Sequence, residues 1–343
     1  DYPRTEKTKE PSFTQNWLSN NKNKIAQLIV QAREVNKFHG TFLSSIMKYQ
    51  VNGRIHGEIQ QLRSDSGGTV SGRLSMSNPN LQQVPARNKD FGPKIRSLFI
   101  PEDGYKWGSF DYSQQEPRMT VHYAASIGDG YEGSNELVEA YHNTEADFHQ
   151  TVADLVGIER SQAKTIGLGL MYGMGKNKLA LSLGVSKDEA DQLIVKYNNK
   201  VPFVKKLSDR CKFAADEKGV IRTKKGRKCR FDLWETKDFG LHVAEKFDDA
   251  VAKYGKDNIK RAYTYKALNR LIQGSSADQT KQAMLDCYNA GHLPMLQIHD
   301  ELCFNIKDNN HANQIKKIME NAIEFKVPSV VDKGIGESWG DAK

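Results

Sequence analysis

The sequence predicts an α+β fold, because strand-like apolar runs and helical periodicities alternate along its 343 residues without settling into regular βαβ units. Two strand signals lie far apart, Tyr105 to Tyr112 and Met295 to Ile306, and the second has two apolar arms around His299-Asp300-Glu301, the pattern of a tight hairpin. Between them runs a long tract with apolar residues at three- and four-residue steps, which predicts helices.

Taken in order, Ile25, Leu28, Ile29, Ala32, Val35, Phe38 and Phe42 predict one long amphipathic helix from about Ile25 to Tyr49, packed along that stripe. Asn52-Gly53, Ser66-Gly67-Gly68 and Ser77-Asn78-Pro79-Asn80 are closely spaced turn signals, so short strands and ordered loops follow. The strand ending at Asp111 runs into Ser113-Gln114-Gln115-Glu116, a capping-box pattern, and Pro117 falls in the first turn, where a missing N–H removes no helical bond. From about Glu136 to Ala215 a helical lobe is broken at Gly157, at Gly173 to Gly175 and at Val201-Pro202. Residues 222 to 230 are densely basic, and the charged stretch to about Tyr265 reads as an inserted subdomain. Helix returns from Ala267 to Ala290 before the hairpin, and no internal repeat or low-complexity segment is present.

Composition narrows the function classes. No apolar run approaches the roughly 20 residues that span a bilayer, so no membrane role is expected. Asp1 to Pro11 lack the apolar core of a secretory signal, and the expectation is an intracellular protein. Cys211, Cys229, Cys287 and Cys303 are scattered without a CxxC pair, which fits reduced thiols. The net charge of +8 points to a polyanionic partner through counterion release.

Asp111 and Asp300 both sit where strands turn, and Asp111 is placed to project from a sheet edge into a cleft. If they meet, they repel by roughly 4 kcal/mol at about 4 Å and an effective dielectric of about 20, unless a cation lies between them. Two carboxylates suit Mg²⁺, which binds through one or two of them plus substrate phosphates. From spacing alone, either aspartate is more often a helix cap or a turn residue than a metal ligand. Arg160, Lys164, Leu168 and Tyr172 recur every four residues, so they share one broad helical stripe: two cations for phosphates, then an apolar residue and a flat ring. A solvated basic stripe is the alternative. Gly173-Met-Gly-Lys-Asn177 lacks the glycine spacing and the Ser/Thr of a phosphate loop.

Three segments taken together resemble, in order, the polymerase motifs of the family A DNA polymerases: Asp111-Tyr-Ser-Gln-Gln-Glu-Pro-Arg118, Arg160-Ser-Gln-Ala-Lys-Thr-Ile-Gly-Leu-Gly-Leu-Met-Tyr-Gly173 and Gln297-Ile-His-Asp-Glu301. Ser71 to Pro85 is similar to that family's template-primer segment and Gln273 to Asp278 to its later helix, and the likeness runs from about Pro11 to Trp339. The resemblance implies a right-hand polymerase fold with an antiparallel palm sheet, helical fingers and a partial helical thumb. Its divisions would be thumb helices at 1–50, palm at 51–135, fingers at 136–220, a basic segment and insertion at 221–265, and palm again at 266–343. The family's exonuclease-like domain and most of its thumb precede the region of likeness, so a weak grip on DNA is expected of a short thumb.

By the same resemblance, Asp111 and Asp300 hold two Mg²⁺ ions, or Mn²⁺ in their place, with the Tyr112 carbonyl as a further ligand and Glu301 as a neighbour. Arg160, Lys164 and His149 grip the triphosphate, Gln114 lines the nucleotide pocket, and Lys164 is the proton donor to pyrophosphate. Glu116 walls off the sugar 2′ position, braced by Tyr172, which stacks in the template position when the fingers are open. Arg73, Asn80, Gln83, Asn269, Gln273, Gln297 and His299 match positions that touch the primer-template, and the basic run Arg222, Lys224, Lys225, Arg227, Lys228 and Arg230 is placed to hold the DNA backbone. The implied partners are primer-template DNA, deoxynucleoside triphosphates and replication accessory proteins, for a monomer in the cytoplasm, in the host's if phage-encoded, or in an organelle. The insertion and shortened motifs are more phage-like than bacterial. Leu168 stands where the family carries Phe or Tyr, and Gln115 and Pro117 replace apolar residues of the first motif. A catalytically silent DNA-binding module would lack the two carboxylates, and Glu116 as a sugar gate with the Gln297 to Glu301 segment favours DNA synthesis over a single-subunit RNA polymerase of related architecture.

Overall fold

The computed structural model describes residues 2–5, 8–64, 67–85, 88, 90–143, 147–238, 240 and 243–342; Ser66 of the predicted turn lies outside them. It opens with helices α1 (Gln15–Asn20) and α2 (Lys24–Lys37), a π-type turn at Phe38–Leu43, and α3 (Ser44–Tyr49). The long predicted helix is therefore present, but its buried face is not the predicted stripe. Ala26, Val30, Phe38, Phe42 and Ile46 are buried, whereas Ile25, Leu28, Ile29 and Val35 are exposed. Ala26 and Val30 pack against Leu18 and Trp17 of α1, whereas Phe38, Phe42 and Ile46 enter a separate core with Trp107 and Trp339.

Short ribbons follow, β1 (Gln50–Val51) with β2 (Arg54–Ile55) and β3 (Glu58–Gln60) with β4 (Ser75–Ser77), then the short helix α4 (Gly92–Arg96). The strand β5 (Lys106–Tyr112) leads into α5 (Gln115–Ala125). A helical lobe comprises α6 (Ser134–Asn143), α7 (Phe148–Val156), α8 (Arg160–Met171), α9 (Lys176–Leu183), α10 (Lys187–Lys200) and α11 (Pro202–Lys218). Hairpin β6 (Val220–Arg222) and β7 (Lys228–Arg230) carries the basic run. The charged stretch after it holds β8 (Trp234–Thr236), α12 (Phe247–Tyr254) and β9 (Ile259–Arg261). The long α13 (Ala267–Asn289), hairpin β10 (Pro294–Ile298) and β11 (Glu301–Ile306), α14 (Asn309–Glu320) and β12 (Val331–Gly336) complete the chain.

Four of these strands make one sheet in the order β10-β11-β5-β12, all antiparallel. The two strand signals thus pair with each other, and the α+β class predicted from sequence is the one observed. Side chains alternate across a pleated strand. Phe110, Leu302, Phe304, Ile306 and Val331 pack on one face against Ala283, Cys287, Ile315 and Met319 of α13 and α14. Trp107 and Cys303 point to the other face, in a core shared with Phe38, Phe42, Met76 and Trp339. A third core, with Phe148, Ile166, Tyr197 and Phe203, joins the helical lobe to α13 through Leu268 and Ile272. Among the described residues no helix is long and apolar enough to cross a membrane.

The capping box predicted at Ser113 to Glu116 does not form. The helix begins at Gln115, and Gln114 takes the cap position in a left-handed conformation (φ 52°) with no side-chain cap bond. Glu116 instead turns its carboxylate toward Arg73 and Tyr172, an ion pair and a hydrogen bond that a reach back along its own backbone would forfeit. Where the same pattern is not drawn elsewhere it does close, at Ser186 with Glu189 ahead of α10.

His122 on α5 is buried, and its Nδ1 accepts the Lys326 N–H at 3.0 Å. Burial, then the charges of Lys224 and Lys326, push its pKa down to about 4. A group with a depressed folded-state pKa of this cationic kind leaves the unfolded chain binding the extra proton between about 4 and about 6.5, so stability present above that window is lost as pH falls through it. At pH 5 the loss is about 2 kcal/mol. His122→Gln keeps an acceptor for Lys326, and its drop in melting temperature between pH 7 and 5 is expected to be smaller than the parent's. Equal drops in thermal melts would remove His122 from the account.

Candidate active site

The register of the sheet builds an acidic row. Asp111 on β5 is the direct partner of Glu301 on β11 and of Asp332 on β12, so three carboxylates face the same side across neighbouring strands. Asp300 sits in the two-residue turn between β10 and β11, and its carbonyl accepts the Tyr112 N–H at 3.4 Å. Asp111 thus lies near the end of an inner strand rather than at a sheet edge, because β12 adds on its far side. Like charges placed opposite each other oppose folding. The Asp111 side chain reaches solvent, yet enough protein surrounds it that lost hydration is the first cause raising its pKa. Asp300, Glu301 and Asp332 follow, with Arg96 acting the other way. The Asp300 pKa is also raised by burial, opposed by its own backbone N–H and by Arg73. Among the described residues no three His, Cys, Asp or Glu side chains form a ready-made metal cage.

Arg73 links this row to the helices. Its Nη2 donates to Glu116 Oε1 at 2.7 Å, both side chains being largely buried, and its charge reaches Asp300 and His299. The other Glu116 oxygen accepts the Tyr172 hydroxyl, which also bonds with Gln273 of α13. Burial, then the Glu116 charge, raises the Tyr172 pKa and keeps the phenol protonated. Gly173 follows in a left-handed conformation (φ 69°), where an added Cβ would stand 3.2 Å from the Tyr265 ring, so the turn after Tyr172 needs glycine.

Arg160, Lys164, Leu168 and Tyr172 fall on α8 and its C-cap as the four-residue spacing predicts. Arg160 donates through Nε and Nη2 to Asp147 Oδ2 at 2.9 and 2.5 Å, while Asp147 Oδ1 caps α7 by accepting the His149 N–H at 2.8 Å. His149 is buried beside these cations. Burial pushes its pKa down to about 4, Asp147 works against that, and Lys164 and Arg160 add to it. Its Nδ1 finds no hydrogen-bond partner among the described residues. Lys164 is exposed, and Leu168 is half-buried. Gln114 Oε1 accepts the Phe148 N–H at 2.9 Å and the Tyr141 hydroxyl at 3.3 Å, tying the strand–helix turn to α6 and α7.

The residues matched to DNA contact divide into groups. Gln297 is buried, donating to the His299 carbonyl at 2.6 Å and accepting from Gln82 Nε2 at 2.9 Å. Gln82, absent from the sequence-based set, is therefore the neighbour of this turn, while Gln83 is exposed and Asn80 caps the turn by accepting the Gln82 N–H at 3.1 Å. His299 is exposed in a left-handed conformation (φ 56°) beside Arg73. Asn269 and Gln273 are half-buried on α13, one turn apart. Within the basic hairpin, Arg227 is committed to the buried Asp278 at 2.6 Å, which also accepts the Thr223 hydroxyl at 2.6 Å. Lys225 donates to Gln282 at 2.9 Å and Lys224 to the Glu324 carbonyl. Asp332 was missed because only the strand register shows which distant acid lies opposite Asp111.

The donor chemistry of the acidic row, all carboxylate and carbonyl oxygen, fits a hard divalent cation whose remaining positions are filled by water or phosphate. Arg73, Glu116 and Tyr172 link this row to the C-terminal end of α8, the helix that carries Arg160 and Lys164.

Comparisons with known proteins place the chain among relatives. The chain is 38% identical over 96% of its length to a DNA-directed DNA polymerase of Pseudomonas phage M6, covering 54% of that protein. It is 29% identical over 94% to DNA polymerase DpoZ of Acinetobacter phage SH-Ab 15497, covering 53%. It spans about half the length of these curated relatives. Among solved structures it superposes on the POL domain of Pol1 from M. smegmatis, a complex with DNA primer-template and dNTP, with a TM-score of 0.79 and 27% identity, over 99% of this chain and 59% of that one. The family description DNA polymerase family A matches residues 1–341, and with these relatives it establishes that the chain belongs to DNA polymerase family A.

Proposed function

We propose that the chain carries out template-directed DNA synthesis, joining deoxynucleotides to a primer 3′ hydroxyl with release of pyrophosphate. The observation that carries this reading is one connected set of groups. Asp111 on β5 and Asp300 in the β10–β11 turn feel each other's charge, Arg73 reaches from Asp300 to Glu116, and Glu116 bonds Tyr172 at the end of the helix bearing Arg160 and Lys164. The phage relatives named as DNA polymerases support it, as does the neighbour solved with primer-template and dNTP.

Asp111, Asp300 and the Tyr112 carbonyl would hold two Mg²⁺ ions, for which Mn²⁺ substitutes. When bound, such ions make the primer hydroxyl a better nucleophile and stabilise charge on the leaving pyrophosphate. Arg160, Lys164 and His149 bind the triphosphate, and Lys164 delivers a proton to the leaving oxygen. Gln114 lines the nucleotide pocket, and Glu116, held from two sides, is a wall against a 2′ hydroxyl. Tyr172 occupies the template position until the fingers close. Arg73, Asn80, Gln83, Asn269, Gln273, Gln297 and His299 contact the primer-template, where minor-groove acceptors shared by A·T and T·A pairs report pair shape rather than sequence. In this reading 51–135 and 266–343 form the palm, 136–220 the fingers and 1–50 thumb helices, and the protein acts as a monomer in the cytoplasm alongside replication accessory proteins.

Primer extension with Mg²⁺ and separate deoxy- and ribonucleotides tests the proposal. Extension with deoxynucleotides supports it, and extension only with ribonucleotides would assign the chain to RNA synthesis instead. The half-buried Leu168 supplies a finer check. Leu168→Tyr adds a hydroxyl that can replace the contact a dideoxynucleotide lacks. Dideoxynucleotide use relative to deoxynucleotide should rise about tenfold, the value of roughly one charge-assisted hydrogen bond. Unchanged selectivity in single-nucleotide kinetics would remove Leu168 from sugar recognition.

A further inference from the structure

The C-terminal tail folds back behind the acidic row. Trp339 is 1% exposed, its backbone N–H donates to the Phe99 carbonyl at 2.9 Å, and its ring stacks on Trp107 at 6.1 Å. The Arg96 guanidinium lies 4.3 Å over the same ring. Gly340 approaches Pro93 and Ser97 so closely that an added Cβ would stand 2.7 Å from the Pro93 carbonyl oxygen and 2.9 Å from the Ser97 nitrogen. Backbone packing and ring stacking thus seat the tail without calling on the indole N–H. That group has a separate partner: it donates to Glu301 Oε1 at 3.2 Å, the oxygen that the Cys303 thiol also meets at 3.4 Å. Glu301 is the direct strand partner of Asp111.

We propose that Trp339 is a positioning residue for the metal-binding carboxylates, its N–H holding the Glu301 side chain where its charge adds to the field at Asp111. The inference rests on the metal reading above. A carboxylate beside two others gains by swinging toward water, and a buried N–H donor that fixes one of its oxygens opposes that motion. Keeping the charge in place strengthens attraction for a divalent cation at Asp111 and Asp300. Without the N–H, Glu301 turns outward and the attraction weakens. Groups that orient metal ligands from behind change affinity by about 10- to 100-fold.

The test is Mn²⁺ binding to the DNA-free protein, read by electron paramagnetic resonance of the free ion, for the parent, Trp339→Phe, Glu301→Gln and the double variant. Trp339→Phe keeps the ring and its stacking but removes the N–H. It is expected to bind Mn²⁺ about tenfold more weakly, Glu301→Gln at least as weakly, and the double variant no more weakly than Glu301→Gln. Equal affinity in Trp339→Phe and parent, or losses that add in the double variant, would overturn the positioning role alone. Glu301→Gln binding like the parent overturns it too, whatever the folding of the tail variants. A parent that binds no Mn²⁺ overturns the metal reading and this inference with it.

Discussion

Asp111→Asn and Asp300→Asn are each expected to cut primer extension by at least about 10³-fold, about 4 kcal/mol of transition-state stabilisation, while primer-template affinity stays near the parent's. Asparagine keeps the shape of aspartate and removes its charge, so the loss isolates the charge. The same change should leave the metal-free protein as stable as the parent or more so. Asp111 stands between Glu301 and Asp332, and burial and these neighbours raise its pKa above the usual carboxylate range. A carboxyl group with a raised folded-state pKa costs stability at every pH above its unfolded value, and a neutral side chain removes that cost. Loss of activity with equal or higher melting temperature is the signature of a group kept for function against stability. Parent-like synthesis in either variant would undo the assignment, and a large fall in melting temperature would mean that the carboxylate serves the fold.

Lys164→Leu is expected to lower the rate of nucleotide addition by about 10²- to 10³-fold, within the range of a positioned acid. Lys164→Arg separates its two roles. Arginine keeps the positive charge for the triphosphate but does not release its proton at any accessible pH, so nucleotide affinity should stay near the parent's while the rate remains low. The surroundings favour a charge role for Lys164 and Arg160 together, since the neighbouring His149 is held neutral by burial and by both cations. Single-turnover kinetics at saturating nucleotide decides the matter: an arginine variant as fast as the parent would leave Lys164 as a phosphate-binding charge only.

The strands, the hairpin turn at Asp300 and the stripe on α8 were legible because each depends on local periodicity or on turn chemistry within a few residues. What was not legible depends on contacts between distant segments. Nothing around Asp332 marks it as the neighbour of Asp111, since that follows from β12 pairing with β5 in one register. Glu116 shows the local pattern of a cap, but Arg73, 43 positions earlier, and Tyr172, 56 later, offer its carboxylate more than its own backbone does. The face of α2 was misjudged because it packs against α1, where Leu18 and Trp17 meet the small Ala26 and Val30 rather than the larger Ile25, Leu28 and Ile29, a contact invisible in apolar spacing.

The clasp formed by Arg227, Thr223 and Asp278 changes how the positive charge of this chain should be counted. A lysine or arginine releases counterions from a nucleic acid only if its charge is not already matched within the protein. Arg227 is neutralised by Asp278, so it contributes little to the steepness with which DNA affinity falls as salt rises. The cost of added salt should therefore follow the number of unmatched cations that face the nucleic acid rather than the net charge of +8.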